Sequence, residues 1–143
     1  MTHIKAKALC IFRHQDQVLL SYGYDPSKDE TYLRPIGGGI EFGETSVQAV
    51  EREVLEEINQ QITKPKLLAV LENLFTFDDQ QGHEIVFVYE AEFVDSVLYT
   101  EIEIHGCETS GLSYIAQWLS REQIELNQYP VYPTGIEQWL FPE

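Results

Sequence analysis

Residues 38–60 read Gly38-Gly39-Ile40-Glu41-Phe42-Gly43-Glu44-Thr45-Ser46-Val47-Gln48-Ala49-Val50-Glu51-Arg52-Glu53-Val54-Leu55-Glu56-Glu57-Ile58-Asn59-Gln60. The stretch divides into a glycine turn and an amphipathic helix. Thr45 is a favourable N-cap, and Gln48 three residues on completes a capping box. Val47, Val50, Val54 and Ile58 then recur at helical spacing and form one apolar stripe. Asn59 suits the left-handed residue that ends a helix, and Pro65 forbids its continuation. Glu53, Glu56 and Glu57 share an arc of about 100°, displaced from the apolar stripe by roughly a third of a turn. Like charges on adjacent turns repel by a few tenths of a kcal/mol even when exposed. The helix tolerates them if the face is solvated or if a cation sits there.

A hard divalent cation is the natural candidate. Magnesium takes oxygen ligands and keeps water or substrate phosphates as further partners. Glu53 and Glu57 offer oxygens on adjacent turns, and Glu56 a third. Arg52 beside them could fix one carboxylate by a two-pronged bond. Glu44 reaches the same space if its loop folds back, and the carbonyls of Gly37 to Gly39 could add an oxygen. The glycines also permit positive φ and close approach to a ligand, which makes Gly38 and Gly39 candidate substrate contacts. On its own, an Arg-Glu-x-x-Glu-Glu run is most often a solvated charged face.

The longer spacing changes that balance. Gly38, five residues, Glu44, seven residues, then Arg52-Glu53-Val54-x-Glu56-Glu57 resembles the box of the Nudix hydrolase (MutT-like) family at all its polar positions. Six such residues at fixed offsets arise by accident in on the order of one chain in a hundred thousand. The family pattern ends in Gly and an aliphatic residue where this chain has Asn59 and Gln60. Asn is the next best left-handed cap; Gln60 alters packing after the helix, not the chemistry.

The resemblance implies an α/β fold, a Nudix-type mixed β-sheet sandwiched between α-helices, in one domain spanning residues 1–143. It implies metal-dependent hydrolysis of a phosphoanhydride in a nucleoside diphosphate linked to another group, with Mg2+ (or Mn2+) as cofactor. Glu53, Glu56 and Glu57 look like metal ligands, with a carbonyl from Gly37 or Gly38. Arg52 looks like an orienting partner and Glu44 a supporting residue. The general base would be a box glutamate such as Glu53 or a carboxylate on a later loop. Of Glu101, Glu103 and Glu108, Glu108 is favoured because Gly106 and Gly111 flank it. Nucleoside triphosphates and nucleotide sugars such as ADP-ribose remain open as substrates, and a homodimer is common in the family.

The flanks agree with a sheet. The second half of Ile4–Arg13 reads as a buried strand and Val18–Tyr22 as a second short apolar run, joined through His14-Gln15-Asp16-Gln17 like a hairpin. Tyr32–Ile36 is a third, and Ile40-Glu41-Phe42 could resume it. Leu67–Phe77 and Glu84–Val94 form a strand pair around Asp78-Asp79-Gln80-Gln81-Gly82. The polar stretch 96–111 has no clear pattern. Leu112–Ala116 is another strand, Ser120 caps a helix over Arg121–Leu126, and Thr134 caps a last one over Gly135–Leu140. Arg34, just before the glycines, could contact phosphate or a base, against the plainer reading of a strand-edge ion pair. Tyr22, Tyr24 and Tyr32 could stack on a base. Asn73, Phe75 and Phe77 share one strand face and either line a pocket or fill the interior.

Composition narrows the classes. Among 143 residues, 24 acidic against 9 basic side chains give a net charge of −15. Such a surface repels nucleic acid and anionic membrane, and a polyanionic substrate then needs bound cations to invert the local sign. Cys10 and Cys107 form no zinc or disulfide pattern. No apolar run reaches spanning length and no signal peptide opens the chain, so a soluble cytoplasmic protein is expected. Two other readings compete: a non-catalytic Nudix-fold nucleotide-binding or regulatory module, which predicts lost box carboxylates, and an acidic interaction protein with solvated glutamates.

Overall fold

The structure is a computed structural model that describes residues 2–142. In chain order it runs β1 (Ile4–Ile11), β2 (Arg13–His14), β3 (Gln17–Asp25), β4 (Glu30–Arg34), β5 (Ile36–Gly39), α1 (Ser46–Ile58), β6 (Ile62–Phe77) and β7 (Gln80–Phe93). A short 3-10 turn (Ser96–Thr100) follows, then β8 (Glu103–Cys107), β9 (Ser113–Ser120), α2 (Arg121–Asn127) and α3 (Glu137–Leu140).

The strands form two curled sheets, ordered β5-β1-β7-β6 and β2-β3-β9-β8, with β4 on the free side of β3. Among the described strands β1 and β7 pair in parallel and the other ladders are antiparallel, with a single parallel bridge from Leu33 of β4 to Val131. The chain passes from one sheet to the other at Phe12, which is fully buried, and again at Pro35 between β4 and β5. A proline has no N–H for the ladder, so it suits a point where a strand changes sheet.

The second half of β1, residues 8–11, is buried on both faces. Ala8, Cys10 and Phe12 pack with Val50, Val54 and Ile58 of α1. Leu9 and Ile11 point the other way, into a cluster with Leu33, Val86, Val88 and the C-terminal Ile136 and Leu140. The curled sheets are therefore covered by α1 on one side and by the C-terminal segment on the other, the expected α/β sandwich. Arg13 fixes that segment by donating from Nε to the Leu140 carbonyl at 3.1 Å.

The central helix forms as its sequence dictates. Thr45 Oγ1 accepts from the Gln48 N–H, Gln48 answers to the Thr45 N–H at 2.9 Å, and Asn59 is left-handed at φ 56°. Ser120 and Gln123 repeat the capping box on α2. Other expectations are corrected. Ile40-Glu41-Phe42 is no strand but a loop, with Ile40 half-buried against the core and Glu41 and Phe42 exposed. The β6–β7 turn is only Asp78-Asp79, both at positive φ, the two-residue geometry that matches strand twist. Pro65 lies inside β6, where the ladder with β7 slips between Thr63 and Lys66. Stretch 96–111 holds the 3-10 turn and β8. α3 starts later than expected and has no side-chain cap. Among the described residues no helix is long and apolar enough to cross a membrane.

Candidate active site

The site is built where the second half of α1 meets β5. Glu53 and Glu57 are 3% and 6% exposed, so both carboxyls belong to the interior although they lie off the apolar stripe. Gly38 is required beside them. A Cβ on Gly38 would stand 2.6 Å from Glu53 Cδ, closer than a carbon can approach. Gly37 is equally constrained, at φ +153° with the Ala8 carbonyl 2.1 Å from where its Cβ would be.

Arg52 organises the rim. Its Nε donates to Glu44 Oε2 at 2.7 Å and its Nη2 to Glu44 Oε1 at 2.9 Å, a two-pronged pair. Nη2 also donates to the Gly39 carbonyl at 2.8 Å. Nη1 reaches Glu53 Oε1 at 3.0 Å and Glu56 Oε2 at 3.1 Å. The Arg52 guanidinium, helped by the Glu41 N–H, holds the Glu44 carboxyl down to about 2. Glu44, expected as a supporting residue, and Arg52, expected as an orienting partner, are thus joined in one hydrogen-bonded network.

The second oxygen of Glu53 is different. Oε2 is buried and has no hydrogen-bond partner among the described residues. Glu57 lies beside it, and burial together with the Glu53 carboxyl pushes Glu57 up to about 8, against the hydrogen bond from Tyr114 and the charge of Arg34. Tyr114 donates to Glu57 Oε1 at 2.7 Å, and its phenol is raised by burial and by the Glu57 charge. Two carboxylates facing each other have no proton to share when both are ionised. They hold either one proton between them or a cation, because an unpaired buried charge is costly. Two all-oxygen donors with an orphaned lone pair fit a hard divalent ion.

Glu56 does not join this pair. Its side chain is 44% exposed and is held by Arg52. Among the described residues no three acidic, histidine or cysteine side chains close on one point as a finished cation site. The Gly37 carbonyl, expected to serve a metal, accepts from Arg34 Nη2 at 3.2 Å, which leaves one lone pair free.

Arg34 and Glu108 meet on the far side, with Nη2 and Oε1 3.8 Å apart. Glu108 sits in the β8–β9 loop, whose turn is closed by Gly111 N–H to the Glu108 carbonyl at 2.8 Å. Both residues border a cleft of about 460 Å3, with Tyr32, Asn73, Phe77 and Tyr132 further in. The rival carboxylates are elsewhere: Glu103 pairs with His105 at 3.5 Å, and Glu101 is exposed. Tyr22 donates to Gln117 and Tyr24 to Asp29, so of the three tyrosines only Tyr32 faces the cleft.

Tyr114 was not legible in the sequence. It pairs with Gly106 across β8 and β9, and its ring covers that glycine so closely that a Cβ there would lie 2.3 Å from Tyr114 Cζ. The single available signal was a glycine within a strand, which often marks a close approach.

A family model described as NUDIX domain matches residues 1–139. A NUDIX hydrolase structure from Nitrosomonas europaea superposes with a TM-score of 0.68 at 21% identity, covering 95% of this chain and 85% of that one. A MutT NUDIX hydrolase from Burkholderia pseudomallei gives 0.62 at 17% identity, with 85% and 86% covered. A MutT protein from Bacillus halodurans gives 0.59 at 20% identity, with 96% and 80% covered. At these identities the likeness is one of fold.

Proposed function

Since this chain belongs to the NUDIX domain family, we propose that it hydrolyses a phosphoanhydride of a nucleoside diphosphate derivative with Mg2+ or Mn2+ held by Glu53 and Glu57. The observation that carries this reading is the buried Glu53 Oε2, left without a donor next to a second buried carboxyl. A bound divalent ion supplies polarisation of phosphoryl oxygens, a lower pKa for water and screening of the substrate's charge.

The chain's own groups would do the rest. Arg52 fixes one oxygen of Glu53 and so aims the other at the space beside Glu57. Glu44 and the Gly39 carbonyl hold Arg52 in turn. Glu56, at the exposed end of this network and held by Arg52, would take up an ion or water only by leaving that partner. Arg34 stands between the carboxylate pair and the cleft, where a cation can receive a phosphate oxygen. Glu108 is the proposed general base. It is half-buried, outside the Arg52 network, and oriented by Arg34. It would take a proton from water as the water oxygen attacks phosphorus and the bridging P–O bond breaks, the leaving phosphate departing with the electron pair. Positioning and electrostatics suffice for such a displacement.

The test is a panel of nucleoside triphosphates and nucleotide sugars, with and without Mg2+ or Mn2+. Metal-dependent turnover of at least one member, with water oxygen incorporated into a phosphate product, is expected. A folded protein that turns over none of them with either metal contradicts the reading and favours a binding module.

A further inference from the structure

Among the described residues, two side chains donate hydrogen bonds into the buried carboxylate pair. Arg52 Nη1 donates to Glu53 Oε1 at 3.0 Å, and Tyr114 Oη donates to Glu57 Oε1 at 2.7 Å. Arg52 already has a part in the proposed chemistry; Tyr114 has none. Its phenol is a neutral donor, so it leaves the pair's need for a cation intact. What it supplies is direction. Each carboxyl has one oxygen held by a donor and one left over.

The phenol is itself held. Tyr114 faces Gly106 across the β8–β9 ladder, and a Cβ on Gly106 would stand 2.6 Å from the tyrosine hydroxyl oxygen. The ring therefore lies flat over β8 and occupies the space that any other residue at 106 would fill. It also packs against the core cluster that includes Val54, Ile104 and Ala116. A donor whose ring is locked on two sides fixes its acceptor, where a long flexible donor would follow it.

Fixing a carboxylate matters most for the choice between hard cations. Calcium takes about six to eight oxygens at roughly 2.3–2.6 Å, in a flexible shell that often includes both oxygens of one carboxylate. Magnesium demands a near-octahedral set at about 2.0–2.1 Å, keeps several waters and uses one or two carboxylates. The protein oxygens on offer are few. Glu56 is tied to Arg52, and among the described residues no third acidic side chain closes on the pair.

We propose that Tyr114 is a positioning residue that makes the site selective for a small octahedral cation, by holding Glu57 to coordination through a single oxygen. The inference rests on the metal reading above and adds the residue that sets which metal. With the hydroxyl gone, the Glu57 carboxylate is free to turn and offer both oxygens. A larger ion with a flexible shell gains from that freedom, and a small one loses its aimed ligand.

The experiment measures Mn2+ binding at pH 8 from the electron paramagnetic resonance of free Mn2+, with Mg2+ and Ca2+ affinities taken from displacement of Mn2+. Wild type, Tyr114→Phe and Gly106→Ala are compared, with metal-free thermal midpoints as a check of folding. Tyr114→Phe keeps the ring over Gly106 and removes only the hydroxyl; Gly106→Ala keeps the hydroxyl and displaces the ring. The quantity read is the ratio of Mg2+ to Ca2+ affinity within each protein. Both ions displace the same proton from the pair, so any change in carboxyl protonation cancels in that ratio.

Losing a partner that orients a metal ligand lowers affinity by about 10- to 100-fold. Tyr114→Phe is expected to lose about tenfold or more in Mg2+ affinity while Ca2+ affinity stays within about threefold of wild type. Gly106→Ala should move the ratio in the same direction. An equal loss for both ions in Tyr114→Phe, which a role in packing alone would give, overturns the proposal. So does an unchanged affinity for each. Wild type that binds none of the three ions removes the metal reading and this proposal with it. Wild type that binds Mg2+, with the same ratio in both variants, removes this proposal and keeps the metal reading.

Discussion

Gly38 lies directly against the carboxyl of Glu53, so close that a Cβ on Gly38 would stand 2.6 Å from both Cδ and Oε2. Glu53 is 3% exposed and cannot swing out cheaply, so the glycine sets where the carboxylate points. Gly38→Ala should therefore displace Glu53 more than it harms the fold. Overpacking of this kind costs about 1–3 kcal/mol in stability. Loss of ligand orientation should lower Mg2+ affinity by about 10- to 100-fold. Thermal unfolding and calorimetric Mg2+ titration of the same preparation check both.

The Arg52–Glu44 pair predicts a pH dependence at the acid end. Glu44 is held at about 2 in the folded protein, below the ordinary 4.5. A depressed carboxyl stabilises the fold above pH 4.5 and loses that contribution as pH falls toward 2. In Arg52→Gln the Glu44 carboxyl returns toward its ordinary range, so the extra loss of stability between pH 4.5 and 2 should shrink. Turnover at neutral pH should fall by about 10- to 100-fold. Thermal midpoints across pH 2–5 for both proteins decide the point; superimposable curves would show that the pair contributes nothing.

Glu57 predicts the opposite slope. Without metal its carboxyl is raised to about 8 from 4.5. A raised carboxyl stabilises the fold while both states are protonated, below pH 4.5, and that contribution is lost as pH rises through 8. Metal binding at pH 7 must then expel the proton, because the ligand is the carboxylate. Mg2+ titrations at pH 7 in buffers of different ionisation heat should report roughly one proton released, falling toward none above pH 9, where the carboxyl is already ionised. A Glu57→Gln protein should release none.

Glu108 differs from the helix carboxylates in having Arg34 as its ion-pair partner, not Arg52. As a general base and not a metal ligand, its loss should act on kcat alone. Glu108→Gln is expected to lower kcat by about 100-fold or more with Mg2+ affinity unchanged. A matching fall in Mg2+ affinity would assign Glu108 to the metal instead.

The parts of the fold legible in the sequence were those set by local chemistry. Thr45 with Gln48, Ser120 with Gln123 and Asn59 each satisfy orphaned groups at a helix end, and such signals need no knowledge of the rest of the chain. The box spacing likewise placed Gly38, Glu44, Arg52 and Glu53 together. What escaped depends on partners distant in sequence. β8 was hidden because it alternates within an acidic, polar stretch, with only Ile104 and Gly106 buried. The helical arc grouped Glu56 with Glu53 and Glu57, yet periodicity does not say that β5 and β8 would bury two of them and leave the third to Arg52. Tyr114 became a candidate only once β9 was laid beside β8 against the helix, whereas Asn73, open in the sequence between pocket lining and interior, proves to line the cleft.

The central claim is that the buried pair Glu53 and Glu57 is arranged for a cation and not for stability. Glu57→Gln tests it most directly. The amide can still accept from Tyr114 and can donate to Glu53 Oε2, which removes the repulsion without opening a cavity. The measurement is made on one preparation at pH 8: metal-free thermal midpoint, and Mg2+-dependent turnover of whichever diphosphate the wild type cleaves. The account predicts a higher midpoint together with turnover reduced at least about 100-fold. A midpoint that falls while turnover is unchanged would contradict it.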